Sequence, residues 1–497
     1  MNAVPDATDR PALARASLAQ ASAATRRPGY DPDAVAIGIV HLGPGAFHRA
    51  HQAEFADSVL ASDPRWGICA VSLHSTGVRD ALMPQDGLYT AATLDAEIGF
   101  RVIGSIREVL VAPEDPERVL ARLAAAGTHL VTLTITEKGY CLDADGALDA
   151  THPDVAHDRA HPHIPRSAIG YLVEGLRRRR AAGLAPFTVL SCDNLVDNGH
   201  RLGAAVRALA AANDRGLAAW IESEGAFPRT MVDSIVPATD DALRARVAAA
   251  TGLRDAWPVQ REAFTQWVIE DRACGPMPDL AAVGATLTDD VPAYVQAKLR
   301  LLNGAHSTLA YLGLLAGHAS VGEAMDDAAL AGFVRVLMRE DILPSLRAPQ
   351  GLDLDAYVDA VLARFRNPSI RHALAQIAWD GSQKLPFRLF GTIADALAAG
   401  RGIDRLCLPV AAWMHFVRQR AGAGERVTDP LAERLFELGR ACDGSAAADV
   451  PRFLALHDVF PPALRESPAF REALAQAYDC LRVPGCVGQV LRQFQPV

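Results

Sequence analysis

Two hydrophobic rhythms divide the chain. Up to about residue 290, short apolar runs alternate with amphipathic stretches; from Pro292 onward apolar residues recur at three- and four-residue spacing. Short apolar runs bounded by glycine, proline or polar clusters read as buried strands, and the longer spacing reads as helix packed on one face. The strand-like runs are Ala34–His41, Trp66–Leu73, His129–Thr136, Phe187–Cys192, Phe227–Pro237 and Gln266–Asp271, with a β-rich stretch from Phe100 to Val111. Pro113–Ala126 and Ser167–Ala182 read as helices between them. Strands alternating with helices build a parallel sheet. The expectation is an α/β domain over residues 29–288, then a mostly α-helical C-terminal domain over residues 289–497. Residues 1–28, rich in Ala, Ser and Arg, read as a flexible leader.

The first run leads into Leu42-Gly43-Pro44-Gly45-Ala46-Phe47-His48-Arg49, followed by a helical segment from about Ala50 to Leu60. A strand, a glycine turn and a helix open a Rossmann-type dinucleotide-binding unit. Glycines let the backbone approach a pyrophosphate, and the helix N-terminus favours its charge. Gly43-x-Gly45 is present, but His48 stands where a third glycine would be. The next run continues as His74-Ser75-Thr76-Gly77, without the acid that would bind the ribose diol of NAD, so NADP stays open.

The helical half concentrates its polar groups in Lys298-Leu-Arg-Leu-Leu-Asn303-Gly-Ala-His306-Ser, inside an otherwise apolar run. At about 100° per residue, Asn303 lies roughly 140° round a helix from Lys298, with His306 between them at roughly 80°. Polar groups on a mostly buried helix need partners. A substrate with several hydroxyls would supply them. So would a carboxylate paired with the lysine and a loop bonded to the asparagine. In the first half, Asn194 and Asp233 follow or end apolar runs, where open α/β sheets bind ligands. Asn194 could instead cap a helix beginning near Gly199.

Composition narrows the function classes. The formal net charge of −9 gives no general attraction to nucleic acid or an anionic membrane. Arg177-Arg178-Arg179-Arg180 then reads as a solvated helix face. No apolar run reaches the length of a membrane span. The eight cysteines are scattered without a CxxC pair, so neither a zinc knuckle nor a disulfide framework is indicated. A cytoplasmic monomer acting on a small molecule is the expectation.

Seven segments occur in one order: His41–His51, Thr134–Tyr140, Ser191–Asn194, Phe227–Asp233, Gln266–Asp271, Lys298-x4-Asn303-Gly-x-His306 and Arg364-Phe-x-Asn-Pro368. Together they resemble the mannitol dehydrogenase family, the polyol-specific long-chain dehydrogenases and reductases. The resemblance implies a metal-independent oxidoreductase that uses NAD, with NADP not excluded. It implies Lys298 as the acid/base, Asn194 and Asn303 as donors to a developing oxyanion, and His306 as the group orienting a neighbouring hydroxyl. Ile39, His41, Gly43, Pro44, Gly45, Ala46, Phe47, His48, Arg49 and Glu137 would contact the cofactor. Asp233, Lys138, Arg364 and Lys384 would hold substrate. Tyr294-x3-Lys298 also matches the pair of short-chain dehydrogenases, but it lies roughly 250 residues beyond the glycine turn, so Lys298 is assigned its role without Tyr294.

Glu137–Cys141 and Asp380-Gly-Ser-Gln-Lys384-Leu-Pro386 resemble a branch of the family that acts on a sugar acid. The polyol branch tends to carry glycine in place of Lys138 and an arginine near Gln376. Lys138 is therefore expected to help recognise a carboxylate. The alternatives are a neutral polyol substrate, or a non-catalytic sugar-binding protein on the same fold. A pure binder has no need of an acid/base lysine at position 298.

Overall fold

The apolar runs of the first half form strands β1 (Ile37–Leu42), β2 (Gly67–Ser72), β3 (Tyr89–Leu94), β4 (Gly99–Ile103), β5 (Ile106–Val111), β6 (Leu130–Leu133), β7 (Thr188–Ser191), β8 (Thr230–Asp233), β9 (Val259–Glu262), β10 (Gln266–Glu270) and β11 (Thr286–Thr288). The computed structural model describes residues 10–370, 372–483 and 485–494. It divides into two units, Met1–Val291 and Pro292–Val497.

In the first unit, five strands make one sheet in the order β5-β2-β1-β6-β7, and every neighbouring pair is parallel. Both faces are covered, which is why these strands read as continuous apolar runs. Val40, Leu42, Val71 and Val131 face one core, while Ile39, Ile68, Ala70 and Leu130 face the other. The strand order reverses between β1 and β6, and ligands bind such open sheets at the carboxyl ends beside that switch point. Two three-stranded sheets, β4-β3-β9 and β11-β10-β8, flank it.

Three local expectations change. The β-rich stretch from Phe100 to Val111 is two strands in different sheets. It breaks at Gly104-Ser105, where Gly104 N donates to Asp57 Oδ1 (2.9 Å) and Ser105 Oγ to Ala53 O (2.8 Å). The helix after the glycine turn begins at Ala46 rather than near Ala50. It is interrupted at His51, whose Nε2 lies 3.1 Å from Gln266 O, and resumes over Gln52–Val59. The leader is packed from Arg10 onward. Leu13 is 1% exposed and shares a cluster with Ala21, Leu88, Val102 and Leu253. Leu13 N donates to Arg254 O (2.8 Å) and Val102 N to Arg26 O (2.8 Å). Burial of Leu13 and Ala21, together with these backbone bonds, holds the segment on the unit; residues 1–9 lie outside the described set.

The arginine run sits on the helix Ala168–Ala181, capped by Ser167. Arg177 and Arg178 pair with buried Glu174, and Arg178 also pairs with Glu117. Arg179 donates to the carbonyls of Ala185 and Ala125. The run is engaged within its own unit.

The second unit is helical. Val291–Ala297 runs into a π-helical turn, Lys298–Asn303, and on into the helix Gly304–Ala316. A second π turn covers Leu337–Ile342 and a third covers Pro386–Phe390. The long helix Asp404–Gly422 supplies much of the core, with Trp413 set edge-on to Phe453 at 5.5 Å.

Burying Leu13 and its neighbours contributes about 2 kcal/mol. A variant lacking residues 1–28 is expected to melt roughly 4–8 °C lower in calorimetry. An unchanged Tm would mean that the segment stabilises nothing.

Candidate active site

Each unit gathers part of the expected site. In the sheet unit the chain leaves β1 at Leu42 and turns through Gly43-Pro44-Gly45. Gly43 has φ +88°, and a Cβ there would lie 2.3 Å from Thr134 O, just beyond β6. Only glycine fits both the conformation and the approach. Gly43 N donates to Val71 O (2.9 Å) and Gly45 N to Gly43 O (2.7 Å). Gly45 is exposed and begins the helical turn Ala46–Ala50, whose first N–H groups have no acceptor inside the helix.

Behind this turn lie two buried imidazoles. His41 Nδ1 is 2.7 Å from Thr132 Oγ1, and its Nε2 is 2.9 Å from Thr134 Oγ1 and 3.2 Å from Gly43 O. Burial lowers the His41 pKa to about 3, so the ring is neutral. His48 stacks on it with ring centroids 3.3 Å apart, and burial holds its pKa well below the usual histidine value. Arg49 is turned into the interior: Nη1 donates to Trp257 O (2.7 Å), and the guanidinium lies 4.8 Å from the Trp257 ring. Ile39 belongs to the core. The side chains of Ile39, His41, His48 and Arg49 are all under 5% exposed. These four side chains, expected among the cofactor contacts, pack beneath the turn. The backbone from Gly43 to Phe47 is what this edge presents.

The neighbouring strand ends are held by Asp193. Its carboxylate accepts from Ile135 N (2.9 Å), Thr136 N (3.1 Å) and Tyr140 Oη (2.7 Å), fixing the turn Glu137–Tyr140 against the end of β7. Thr136 pays for this with φ +63°. Glu137 and Lys138 stand exposed on that turn, and Asn194 is exposed in the loop after β7. The N-cap position of the helix Asn198–Asn213 is held by Asp197. Asp233 ends β8 and is buried. After β2, Arg79 pairs with Asp80 (2.8 Å) and with Glu114.

In the helical unit the decisive local feature is the π turn. Gly304 N reaches back five residues to Leu299 O. An i→i+5 repeat brings residues five apart closer to register than an α-helix does. Lys298 and Asn303 therefore share a face more closely than the helical wheel suggested. Lys298 and His306 are each 8% exposed. His306 packs on Phe365 (4.7 Å between centroids) and edge-on to His372 (5.2 Å). Its pKa lies well below the usual value, first through burial and then through repulsion by His372, Arg388, Arg364 and Lys384. Its Nε2 is buried and has no hydrogen-bond partner among the described residues. Such an atom is expensive to leave unanswered, and a substrate hydroxyl fits it.

Lys384 lies 3.8 Å from Asp380, and its pKa is lowered by burial and by Arg388. Arg388 Nη1 donates to Ser307 Oγ (3.0 Å) and approaches Asn303 O (3.5 Å). Arg388, His372 and Asp193 escaped sequence reasoning. For Arg388 the signal was its i,i+4 spacing from Lys384, obscured by the intervening Pro386. Among the described residues no group of three or more His, Cys, Asp or Glu is placed to hold a metal ion. Among them, too, no helix is long and apolar enough to cross a membrane.

Comparison with known proteins gives a consistent picture. Residues 37–281 match the family model of the mannitol dehydrogenase Rossmann domain, and residues 290–482 match that of the mannitol dehydrogenase C-terminal domain. The chain is 42% identical over 464 residues to the D-mannonate oxidoreductase of Escherichia coli (strain K12), covering 92% of this chain and 95% of that protein. It is 38% identical over 469 residues to a mannitol 2-dehydrogenase of Phaeosphaeria nodorum, covering 92% of this chain and 81% of that protein. Among solved structures, the ternary complex of Pseudomonas fluorescens mannitol 2-dehydrogenase with NAD and D-mannitol has TM-score 0.81 and 37% identity, covering 97% and 99% of the two chains. A D-sorbitol dehydrogenase in substrate-free form has TM-score 0.89 and 33% identity, covering 96% and 99%.

The geometry of the glycine turn makes a direct prediction. Gly43→Ala is expected to weaken dinucleotide binding at least tenfold in a fluorescence titration, because Cβ would collide with Thr134 O. Binding within a factor of two of wild type would show that the turn does not carry the dinucleotide.

Proposed function

The chain belongs to the mannitol dehydrogenase family, and from that premise we propose that it is an NAD-dependent, metal-independent dehydrogenase of a sugar acid, interconverting D-mannonate and D-fructuronate. The observation that carries the sugar-acid reading is the placement of the Arg388 guanidinium, whose Nη1 donates to Ser307 Oγ (3.0 Å) and approaches Asn303 O (3.5 Å), on the stretch that holds His306. The match to a D-mannonate oxidoreductase supports the same choice. The runner-up is a neutral polyol such as mannitol, favoured by the likeness to mannitol 2-dehydrogenases.

The glycine turn fits a dinucleotide. It offers exposed backbone at a sheet switch point, with φ +88° at Gly43. When bound, nicotinamide supplies or accepts the hydride. The choice of NAD follows from what lies after β2. There is no arginine in residues 73–78, and Arg79 is already neutralised by Asp80 and Glu114, so a 2′-phosphate would find no ready partner.

In the reducing direction the Lys298 ammonium gives its proton to the carbonyl oxygen as the carbon accepts hydride. In oxidation the Lys298 amine takes that proton back. General acid/base catalysis needs a pKa near the working pH, so a lysine must fall well below its usual value of about 10.4, which burial favours. Asn303 donates a hydrogen bond to the developing alkoxide, and we assign the same role to Asn194 at the end of β7. Neutral His306 presents Nε2 to a hydroxyl beside the reacting carbon. Asp233, Arg364 and Lys384 bind the remaining substrate groups.

Nicotinamide absorbance kinetics with fructuronate, tagaturonate and fructose, each with NADH and NADPH, test the reading. Fructuronate with NADH is expected to give the highest kcat/KM. A preference for fructose would replace the sugar acid by a polyol, and silence with every substrate would leave a binding protein. Lys298→Ala is expected to lose about 10²–10⁴ in turnover while still binding NAD. Asn303→Ala and Asn194→Ala are each expected to lose about 10²–10³, mostly in kcat. A change confined to KM would make either asparagine a binding group.

A further inference from the structure

We infer that Arg388 takes the carboxylate of the substrate and thereby sets the preference for a sugar acid over a neutral ketose. This rests on the sugar-acid reading above and names the residue responsible for it.

The guanidinium is positioned but not neutralised. Arg388 sits in the π turn Pro386–Phe390, and its Nη1 is anchored by Ser307 Oγ (3.0 Å) and Asn303 O (3.5 Å). Both anchors lie in the stretch that carries Lys298 and His306. Among the described residues Arg388 forms no ion pair, and Nη1 is its only nitrogen with a hydrogen-bond partner. Nε and Nη2 of the planar fork remain for a ligand. Burial lowers its pKa to about 10, which still leaves it charged at neutral pH.

Arg300, on the neighbouring π turn, shows what a structural arginine looks like here. Its Nη1 meets Asp395 at 2.6 Å and also bonds Ser345. Its charge is answered from within the fold. A partly buried cation without a counter-charge is costly, and a bound carboxylate would relieve that cost with two parallel, charge-assisted hydrogen bonds.

Lys384 and Lys138 are less suited to discrimination. Asp380 stands 3.8 Å from Lys384, and Asp429 also acts on it, so part of its field is already offset. Lys138 is exposed on the turn Glu137–Tyr140, where water screens an ammonium and pairs are worth little. The carboxylate role expected of Lys138 thus passes to Arg388.

The test compares Arg388→Gln, Arg388→Lys and Lys138→Gly with wild type. Each is assayed with NADH on fructuronate and fructose, and with D-gluconate as an inhibitor of fructose reduction. In Arg388→Gln the ratio of kcat/KM for fructuronate over fructose is expected to fall about fiftyfold, mainly through KM. Inhibition by gluconate should be lost with it, and Arg388→Lys should recover part of both. Lys138→Gly should shift the ratio by less than about threefold.

Equal losses on both substrates would make Arg388 a support for the Asn303 turn and overturn the inference, as would a larger shift in Lys138→Gly. Wild type that reduces fructuronate, with an unmoved ratio in Arg388→Gln, overturns the inference while the sugar-acid reading stands. Wild type that neither reduces fructuronate nor responds to gluconate overturns both.

Discussion

A buried helix face that carries a lysine, an asparagine and a histidine is the constraint around which the helical unit is built. Every polar group taken out of water must be answered. The fold answers some internally: Arg300 meets Asp395, Ser382 meets Asp429, and Tyr311 Oη donates to Ala378 O. It leaves His306 Nε2 without a partner among the described residues and Arg388 without an ion pair. These departures lie on the same stretch or its direct neighbour. An α-helix through Lys298–Asn303 would have dispersed its polar groups; the π turn gathers them. Such turns are rare in proteins and recur at functional sites, and the described residues of this unit include three of them.

The sheet unit meets a different constraint, the close approach of two strand ends. The chain after β1 must pass against Thr134 O, which forces Gly43 into φ +88°. Two neutral imidazoles fill the space behind, where ordinary charged side chains would be penalised. Because His41 and His48 titrate far below an unfolded histidine, the unfolded chain binds more protons below about pH 6.5. Their contribution to stability is therefore present above that pH and is lost as pH falls. Asp193 completes the arrangement by tying Ile135, Thr136 and Tyr140 to the end of β7.

Much of this was legible because burial on both faces makes parallel strands read as unbroken apolar runs. The main-sheet strands β2, β6 and β7 each fall within a run expected from the sequence, and β1 overruns its run only at Leu42. The hairpin strand β3 was not foreseen, since Tyr89–Leu94 alternates weakly and its partner β4 merges in sequence with β5. The helical wheel misplaced Asn303 because a π turn is imposed by packing and leaves no mark in local periodicity. The leader was misread because its composition is polar on average, while Leu13 and Ala21 are what bury. His372 was invisible for another reason: no local pattern says which distant histidine folds against His306.

The central claim is that Lys298 moves the proton. Chemical rescue tests it most directly. Lys298→Ala, saturated with NADH and fructuronate, is titrated with small primary amines of graded basicity at fixed pH. Turnover is expected to rise with amine concentration, with a second-order rate constant that follows the amine pKa. Normal dinucleotide binding with no rescue by any amine, or near-wild-type turnover without one, would contradict it.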